Sequence, residues 1–201
     1  MPQSVFLASL GLDALPEFLN QPPSILQLLY IPTAANVDEL ADHAHTARAA
    51  LAEMGFQIDD LDLATASAER VKQAVVACDV VYVGGGNTYY LLDWVNRSGL
   101  REALSNREDL VYVGSSAGAI IAGQDIAYIG DADDPSAAPD LESTAGLAFT
   151  EALVMPHANE PSMIAKWDEV IANHPHPEKF VRLNDDQALT VVDGKMQVVS
   201  S

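Results

Sequence analysis

The sequence predicts an α/β fold in which a mostly parallel sheet carries helices on both faces. Segments of strand length, rich in β-branched and aromatic residues, alternate with segments that carry helical caps and stops. In addition, four strand-like segments end in small or polar residues, namely VYVGGGN, VYVGSS, LVMPH and FVRLNDD. Reactive groups collect at the carboxyl ends of strands in such sheets, so these endings predict a site at one edge of the sheet. No repeat, linker or low-complexity segment divides the chain, and we assign residues 1–201 to one domain.

The individual elements follow from local patterns. Apolar runs predict strands at SVFLASL, SILQLLYIP, FQIDDLDL, DVVYVGGG, LVYVG, FTEALVMPH and KFVRLND. Helical patterns occur at NVDELADHAHTARAALAEMG, SAERVKQAVVAC, TYYLLDWVNRSG and PSMIAKWDEVIANH. Asn36 is the predicted N-cap of the first helix and Gly55 its stop, while Ser67 is the predicted N-cap of the second. ALTVVDGKMQVVS predicts a terminal hairpin that turns at Asp193-Gly194.

Composition and charge exclude several classes of function. The chain has 10 Lys and Arg against 29 Asp and Glu, a formal charge of −19, which argues against a nucleic-acid or anionic-membrane partner. Its one cysteine, Cys78, cannot form an internal disulfide or a multi-cysteine zinc site, and we expect no cofactor or metal. The first residues lack a basic n-region, and no apolar run approaches the roughly 18 residues of a membrane span. We therefore expect a cytoplasmic protein.

The stretch LVYVGSSAGAI, residues 110–120, has the pattern of a nucleophile elbow. Strand-forming residues lead into a Gly-x-Ser-x-Gly turn, and small and apolar residues then begin a helix. Ser116 has Gly114 and Gly118 two positions to either side, whereas Ser115 has no such pair. The register therefore predicts Ser116 as the nucleophile.

A serine hydroxyl is a weak nucleophile and needs a base that is itself oriented by a third group. Of the five histidines, His157 alone closes an apolar strand, while His43 and His45 lie on the alanine-rich helix and are expected to be solvated. Two positions stay open for the orienting acid. Asp185 or Asp186 ends the strand after that of the histidine, and Asp131 lies in the acidic loop beyond the elbow. We favour Asp185, with Asp186 as its neighbour and Asp131 as the alternative.

Acyl transfer also needs backbone N–H donors for the oxyanion. Ala117 follows the predicted nucleophile at a helix start, and Gly85 and Gly86 form a loop at another strand end that can supply a second donor. The glycines lack the spacing of a dinucleotide-binding loop. For substrate binding we assign Asn87, which follows the glycines, and Glu160, whose carboxylate would attract a cationic group of the substrate.

Taken together, YVGGGNTYYLL, VGSSAGAIIAG, MPH and LNDDQAL resemble the serine peptidases of the peptidase E and cyanophycinase family. IPTAAN and AALAEMGF extend the resemblance over nearly the whole chain. The resemblance implies a fold like that of the class I glutamine amidotransferases, with serine in place of their cysteine, and a Ser-His-Glu or Ser-His-Asp triad. The family's nucleophile matches Ser116, its histidine matches His157, and its strand-end acid matches Asp185. An acid also proposed after the elbow in this family matches Asp131.

The sequence departs from peptidase E after the histidine. The dipeptidase carries an arginine-containing segment there that is associated with the substrate's aspartyl side chain, whereas the corresponding HANEPSMIAKWDE contains no arginine. We therefore expect weak or no preference for Asp-X dipeptides.

The predicted function is that of a serine-type peptidase acting on small peptides, as a monomer or a homodimer. One alternative is an esterase or amidase of α/β-hydrolase type, which is disfavoured because the interval between Ser116 and His157 is too short for the strand-and-helix units that normally intervene. The other alternative is a non-catalytic ligand-binding module on the same scaffold.

Overall fold

A seven-stranded sheet forms the centre of the protein in a computed structural model, which describes residues 1–38 and 42–201. The strands of the protein are β1 (Ser4–Ala8), β2 (Gln27–Ile31), β3 (Gln57–Asp60), β4 (Val80–Val83), β5 (Val111–Ser115), β6 (Leu153–Met155), β7 (Phe180–Arg182), β8 (Gln187–Val192) and β9 (Lys195–Ser200). In the main sheet the order is β3-β2-β4-β5-β1-β8-β9. The first five strands in this order are parallel, and β8 and β9 continue the sheet as an antiparallel hairpin. The predicted α/β class with a mostly parallel sheet is confirmed.

Helices cover both faces of this sheet. They are α1 (Leu15–Leu19), α2 (Asp42–Glu53), α3 (Ala68–Ala77), α4 (Thr88–Arg97), α5 (Leu100–Ser105), α6 (Ala117–Ile120) and α7 (Pro161–Asn173). Short 3₁₀ helices lie at Pro23–Ile25, Thr33–Val37, Ala127–Ala132, Pro135–Ala137 and Pro177–Lys179. Helices α1 and α2 pack on one face, against Tyr30 and Tyr82 among others, and α3 to α7 pack on the opposite face. Because strand side chains alternate between faces, both core clusters take residues from the same strands.

Several local predictions are confirmed. The Ser67 hydroxyl accepts a hydrogen bond of 3.3 Å from the Arg70 amide and caps α3. Gly55 follows α2 with a φ of 98°, and Asp193 and Gly194 turn the hairpin with φ values of 49° and 75°. The prediction that Asn36 is the N-cap of α2 is wrong. Asn36 lies inside the 3₁₀ helix Thr33–Val37, and its side chain donates to the Asp62 carboxylate in the loop after β3.

The strands that carry the predicted histidine and acid lie outside the main sheet. β6 and β7 pair with each other in parallel, with Met155 opposite Arg182. The expectation of one sheet is wrong for this pair, since the place beside β1 is taken by β8. The expectation that histidine and acid follow neighbouring strands is confirmed, and His157 and Asp185 therefore leave the small sheet at the same end.

The main sheet brings the glycine loop and the elbow together. β4 pairs with β5 in parallel, and Val83 lies opposite Gly114. The chain segments that follow these two residues consequently leave the sheet side by side. None of the helices within the described residues is long and apolar enough to cross a membrane.

Candidate active site

Ser116 occupies the sharp turn between β5 and α6. Its φ of 49° and ψ of −110° are unusual for a residue with a side chain, and such strain is typical of a nucleophile elbow. Both flanking glycines are required by close contacts. A Cβ at Gly114 would lie 2.4 Å from the carbonyl oxygen of Gly118, and a Cβ at Gly118 would lie 2.0 Å from that of Val83. The glycine register of the sequence is therefore a requirement of packing.

The two adjacent serines have different surroundings. Ser115 is buried, and its hydroxyl is in hydrogen-bond contact with Tyr82. Burial raises the pKa of Tyr82 to about 12, and the bond from Ser115 acts in the opposite direction. Ser116 is partly exposed and lies against a histidine. Its hydroxyl is thus the one available to a substrate.

His157 lies between Ser116 and Asp185. Its Nε2 is 3.0 Å from the Ser116 Oγ, and its Nδ1 is 2.6 Å from the Asp185 Oδ1. A carboxylate at Nδ1 favours the tautomer that carries its proton there, which leaves the Nε2 lone pair to accept the serine proton. Both side chains are about one quarter exposed, with 28% for the histidine and 24% for the aspartate. The three groups form a continuous relay that opens to solvent on one side.

Ser9, the residue directly after β1, holds the histidine and the acid together. Its hydroxyl accepts a bond of 2.7 Å from the His157 amide and donates one of 3.2 Å to the Asp185 Oδ1. Ser9 is fully buried. On the other side, the Trp167 indole donates to the Pro156 carbonyl at 2.8 Å, next to the positive-φ turn at the histidine. Sequence reasoning missed Ser9, although a polar residue at the carboxyl end of a central strand was a signal for it.

Asp185 is the acid that the structure places on the imidazole. The Asp185 amide is held by a bond of 2.9 Å to the Asn159 side chain, and Asp186 is exposed. The alternative, Asp131, belongs to the 3₁₀ helix Ala127–Ala132, and its side chain lies outside what the structure describes.

Two of the three predicted oxyanion donors, Gly85 and Ala117, lie next to the serine. Gly85 packs so closely that a Cβ there would lie 3.0 Å from the Ser116 Cβ and 3.6 Å from its Oγ. The amides of Gly85 and Gly86 donate to no acceptor within residues 1–38 and 42–201. Gly86 has a φ of 132°, and a Cβ there would lie 2.3 Å from the Ala34 backbone. Ala117 begins α6, and the first amides of a helix lack partners inside it.

The two residues assigned to substrate binding lie elsewhere. Asn87 is the N-cap of α4: its Oδ1 accepts from the Tyr90 amide and its Nδ2 donates to the Asp134 carbonyl, both at 2.9 Å. Each of these two atoms already makes a bond within the protein, and Asn87 is not among the described residues that line the cavity, so its observed role is that of a helix cap. Glu160 lies just before α7 and is exposed. Among the described residues, the cavity beside the serine is lined by Met163 and Trp167 of α7 but not by Glu160.

That cavity has a volume of about 770 Å³ and is lined largely by apolar side chains. Among the described residues, its ionisable side chains apart from tyrosines are Asp13, Asp38, His43, Asp133 and His157. No arginine or lysine lines the cavity in the part of the chain that the structure describes. The described residues also contain no group of three or more His, Cys, Asp or Glu that could hold a metal ion.

His43 corrects the expectation that both helix histidines are solvated. It lines the cavity, and its Nε2 lies 3.4 Å from the Gly85 carbonyl oxygen and 3.6 Å from the Asp38 Oδ2. Burial raises the pKa of Asp38, Asp133 acts in the same direction, and His43 opposes it. His45 is exposed as expected. The cavity wall beside the glycine loop therefore includes the carboxylates of Asp38 and Asp133 and the imidazole of His43.

Comparison with known proteins places the chain in a family. Residues 9–199 match peptidase family S51. An uncharacterized peptidase of Listeria innocua is 30% identical over 199 residues, which cover 95% of this chain and 93% of the relative. A peptidase E of Streptomyces coelicolor is 35% identical over 156 residues, which cover 75% of this chain and 58% of the relative. A crystal structure of a Listeria monocytogenes protein named for peptidase E superposes with a TM-score of 0.88 at 25% identity, over all of both chains. The chain belongs to peptidase family S51, the family of peptidase E.

Proposed function

We propose that the protein is a serine peptidase that hydrolyses short peptides through an acyl-enzyme at Ser116. The observation that carries the proposal is the relay in which His157 lies 3.0 Å from the serine Oγ and 2.6 Å from the Asp185 carboxylate. Family membership indicates a peptidase, and the relay supplies a nucleophile, a base and an orienting acid.

In the proposed mechanism the Ser116 Oγ attacks the scissile carbonyl carbon while its proton moves to the His157 Nε2. The Asp185 carboxylate stabilises the imidazolium that forms. His157 then donates the proton to the leaving amine, and the ester of Ser116 remains. A water molecule, deprotonated by the same imidazole, attacks this ester, and the imidazolium returns the proton to the Ser116 Oγ as the acyl–oxygen bond breaks and the carboxylic acid product leaves.

The tetrahedral intermediate needs donors that are already in place when its oxyanion forms. We assign the amides of Gly85, Gly86 and Ala117 to this role. The contact of Gly85 with the Ser116 side chain and the absence of acceptors for the two glycine amides among the described residues support it.

The chain order of the relay supports a peptidase over the two alternatives. An α/β-hydrolase-type esterase would use the order Ser, Asp, His, whereas here the acid on the imidazole follows the histidine. A binding module would have no use for a strained serine hydroxyl aligned with a histidine and a carboxylate. The cavity chemistry further favours a substrate with a free amino group, because the substrate's ammonium group would meet carboxylates and, among the described lining residues, no lysine or arginine.

Replacement of Ser116 by alanine is predicted to abolish peptide hydrolysis, because the acyl acceptor is lost. Removal of a nucleophile lowers kcat by several orders of magnitude. The matched control is Ser115→Ala, one residue earlier, which is expected to retain activity. Release of amino groups from a dipeptide mixture measures both. Retained activity in Ser116→Ala with loss in Ser115→Ala would reverse the assignment.

Gly85→Ala is predicted to lower kcat by at least about tenfold, because its methyl group would lie 3.0 Å from the Ser116 Cβ. Gly84→Ala adds the same group one residue earlier, where the nearest atom outside the neighbouring residues is 3.5 Å away, and it should stay close to the wild type. Steady-state kinetics with one common dipeptide compares them. Equal rates for the two variants would remove Gly85 from the site.

Asp-X dipeptides are predicted to have no advantage as substrates, because no arginine or lysine lines the cavity within the described residues. An acidic side chain would be buried beside carboxylates without a cationic partner. The test is kcat/KM for Asp-Leu, Ala-Leu and Lys-Leu. An Asp-Leu value that exceeds the other two by about tenfold, or about 1.4 kcal/mol, would contradict this prediction.

A further inference from the structure

The cavity continues from the nucleophile along the inner face of α2. The first turn of this helix lies beside the site, since the His43 Nε2 is 3.4 Å from the carbonyl oxygen of Gly85, and Gly85 is in contact with Ser116. Beyond His43, cavity-lining residues recur along α2 as far as Ala50, and Met54 follows just after the helix ends. At 1.5 Å per residue, the levels of His43 and Ala50 on the helix are about 10 Å apart.

We define the α2 lobe as the part of the cavity between this helix and the sheet. Its walls are formed by Leu12, Tyr30, Ala47, Ala50, Met54 and Tyr82. The alanines leave space between the helix backbone and the sheet. Tyr30 and Tyr82 also line the lobe, and their rings stack with centroids 5.3 Å apart.

The six residues that form the walls of the α2 lobe carry no charge. The Tyr30 hydroxyl donates at 2.6 Å to the Ala44 carbonyl, and the Tyr82 hydroxyl is in contact with Ser115. Burial raises the pKa of both phenols, that of Tyr82 to about 12, so both rings are neutral near pH 7. The carboxylates of Asp38 and Asp133 do not belong to these walls, and Asp13, which follows Leu12, is exposed to solvent. The lobe therefore suits an apolar group.

We propose that the α2 lobe is a subsite for a large apolar side chain, such as that of leucine, methionine or phenylalanine, on a residue next to the scissile bond. This inference rests on the proposed peptidase function, because it places the substrate's reacting carbonyl at Ser116. Burial of a branched or aromatic side chain in the lobe removes apolar surface from water, whereas alanine leaves the lobe unfilled.

The test compares kcat/KM for Leu-Ala, Ala-Leu and Ala-Ala in three proteins: the wild type, Ala47→Leu and Ala49→Leu. Ala47 faces the lobe one turn beyond His43, while Ala49 is on the exposed face of the same helix. In the wild type, one of the two leucine peptides should exceed Ala-Ala by at least about tenfold. The identity of that peptide shows on which side of the scissile bond the lobe acts.

The introduced leucine at position 47 should occupy the lobe and remove most of that preference, while Ala49→Leu should keep it. Circular dichroism checks that the variants are folded, and Ala50→Leu replaces Ala47→Leu if the latter is not. Equal rates for all three peptides in the wild type would overturn the inference. So would a leucine preference that survives the lobe substitution in a folded variant, whether Ala47→Leu or its replacement Ala50→Leu.

A binding measurement separates failure of the subsite from failure of the peptidase. Isothermal titration of Ser116→Ala with the same three peptides should show tighter binding of the preferred leucine peptide, and the additional Ala47→Leu change should remove the difference. If the wild type cleaves none of the peptides, the proposed function fails, and this titration alone decides the subsite. Equal affinities for Ala-Ala and both leucine peptides would then overturn it.

Discussion

Close backbone packing at the carboxyl end of β5 is the constraint on which the whole site depends. A side chain at Gly118 would collide with the Val83 carbonyl, at 2.0 Å, and a side chain at Gly114 would collide with Gly118. With glycine at both positions, α6 can begin directly over the neighbouring strand β4. The price is the strained conformation of Ser116, and this conformation keeps its hydroxyl at the cavity.

The histidine and the acid are positioned by a different part of the fold. They follow two short strands that form their own sheet, and a buried hydroxyl ties that sheet to the main one. Ser9 follows β1, which lies between β5 and β8, so its position is set on both sides by paired strands. By bonding to the His157 amide and to the Asp185 carboxylate at once, Ser9 holds these two residues together.

The features that could be predicted from the sequence are those set by local pattern. The glycine register selects Ser116 over Ser115 without any tertiary information, and successive parallel strands place Asp185 beside His157. The separate sheet of β6 and β7 could not be foreseen, because nothing local shows that β8 occupies the place beside β1.

Residue roles that depend on long-range contacts could not be predicted from the sequence. Asn87 follows a glycine loop at a strand end, where a ligand-binding residue and a helix cap have the same sequence signature. In the structure it caps α4, and its side-chain amide donates to the carbonyl of Asp134 in a distant loop. His43 is half-exposed on an alanine-rich helix, and only the docking of that helix beside Gly85 brings it to the cavity. The position of His43 at the cavity is therefore a consequence of the tertiary structure.

The central claim is that Ser116 is a nucleophile activated by His157 and Asp185. A fluorophosphonate probe tests it most directly, because the probe reacts with an activated serine hydroxyl and needs no knowledge of the substrate. Peptide mapping of the labelled wild-type protein by mass spectrometry is predicted to locate the phosphonyl group on Ser116, with labelling lost in His157→Ala. An unlabelled Ser116, or labelling of it that proceeds equally fast without the imidazole, would contradict the claim.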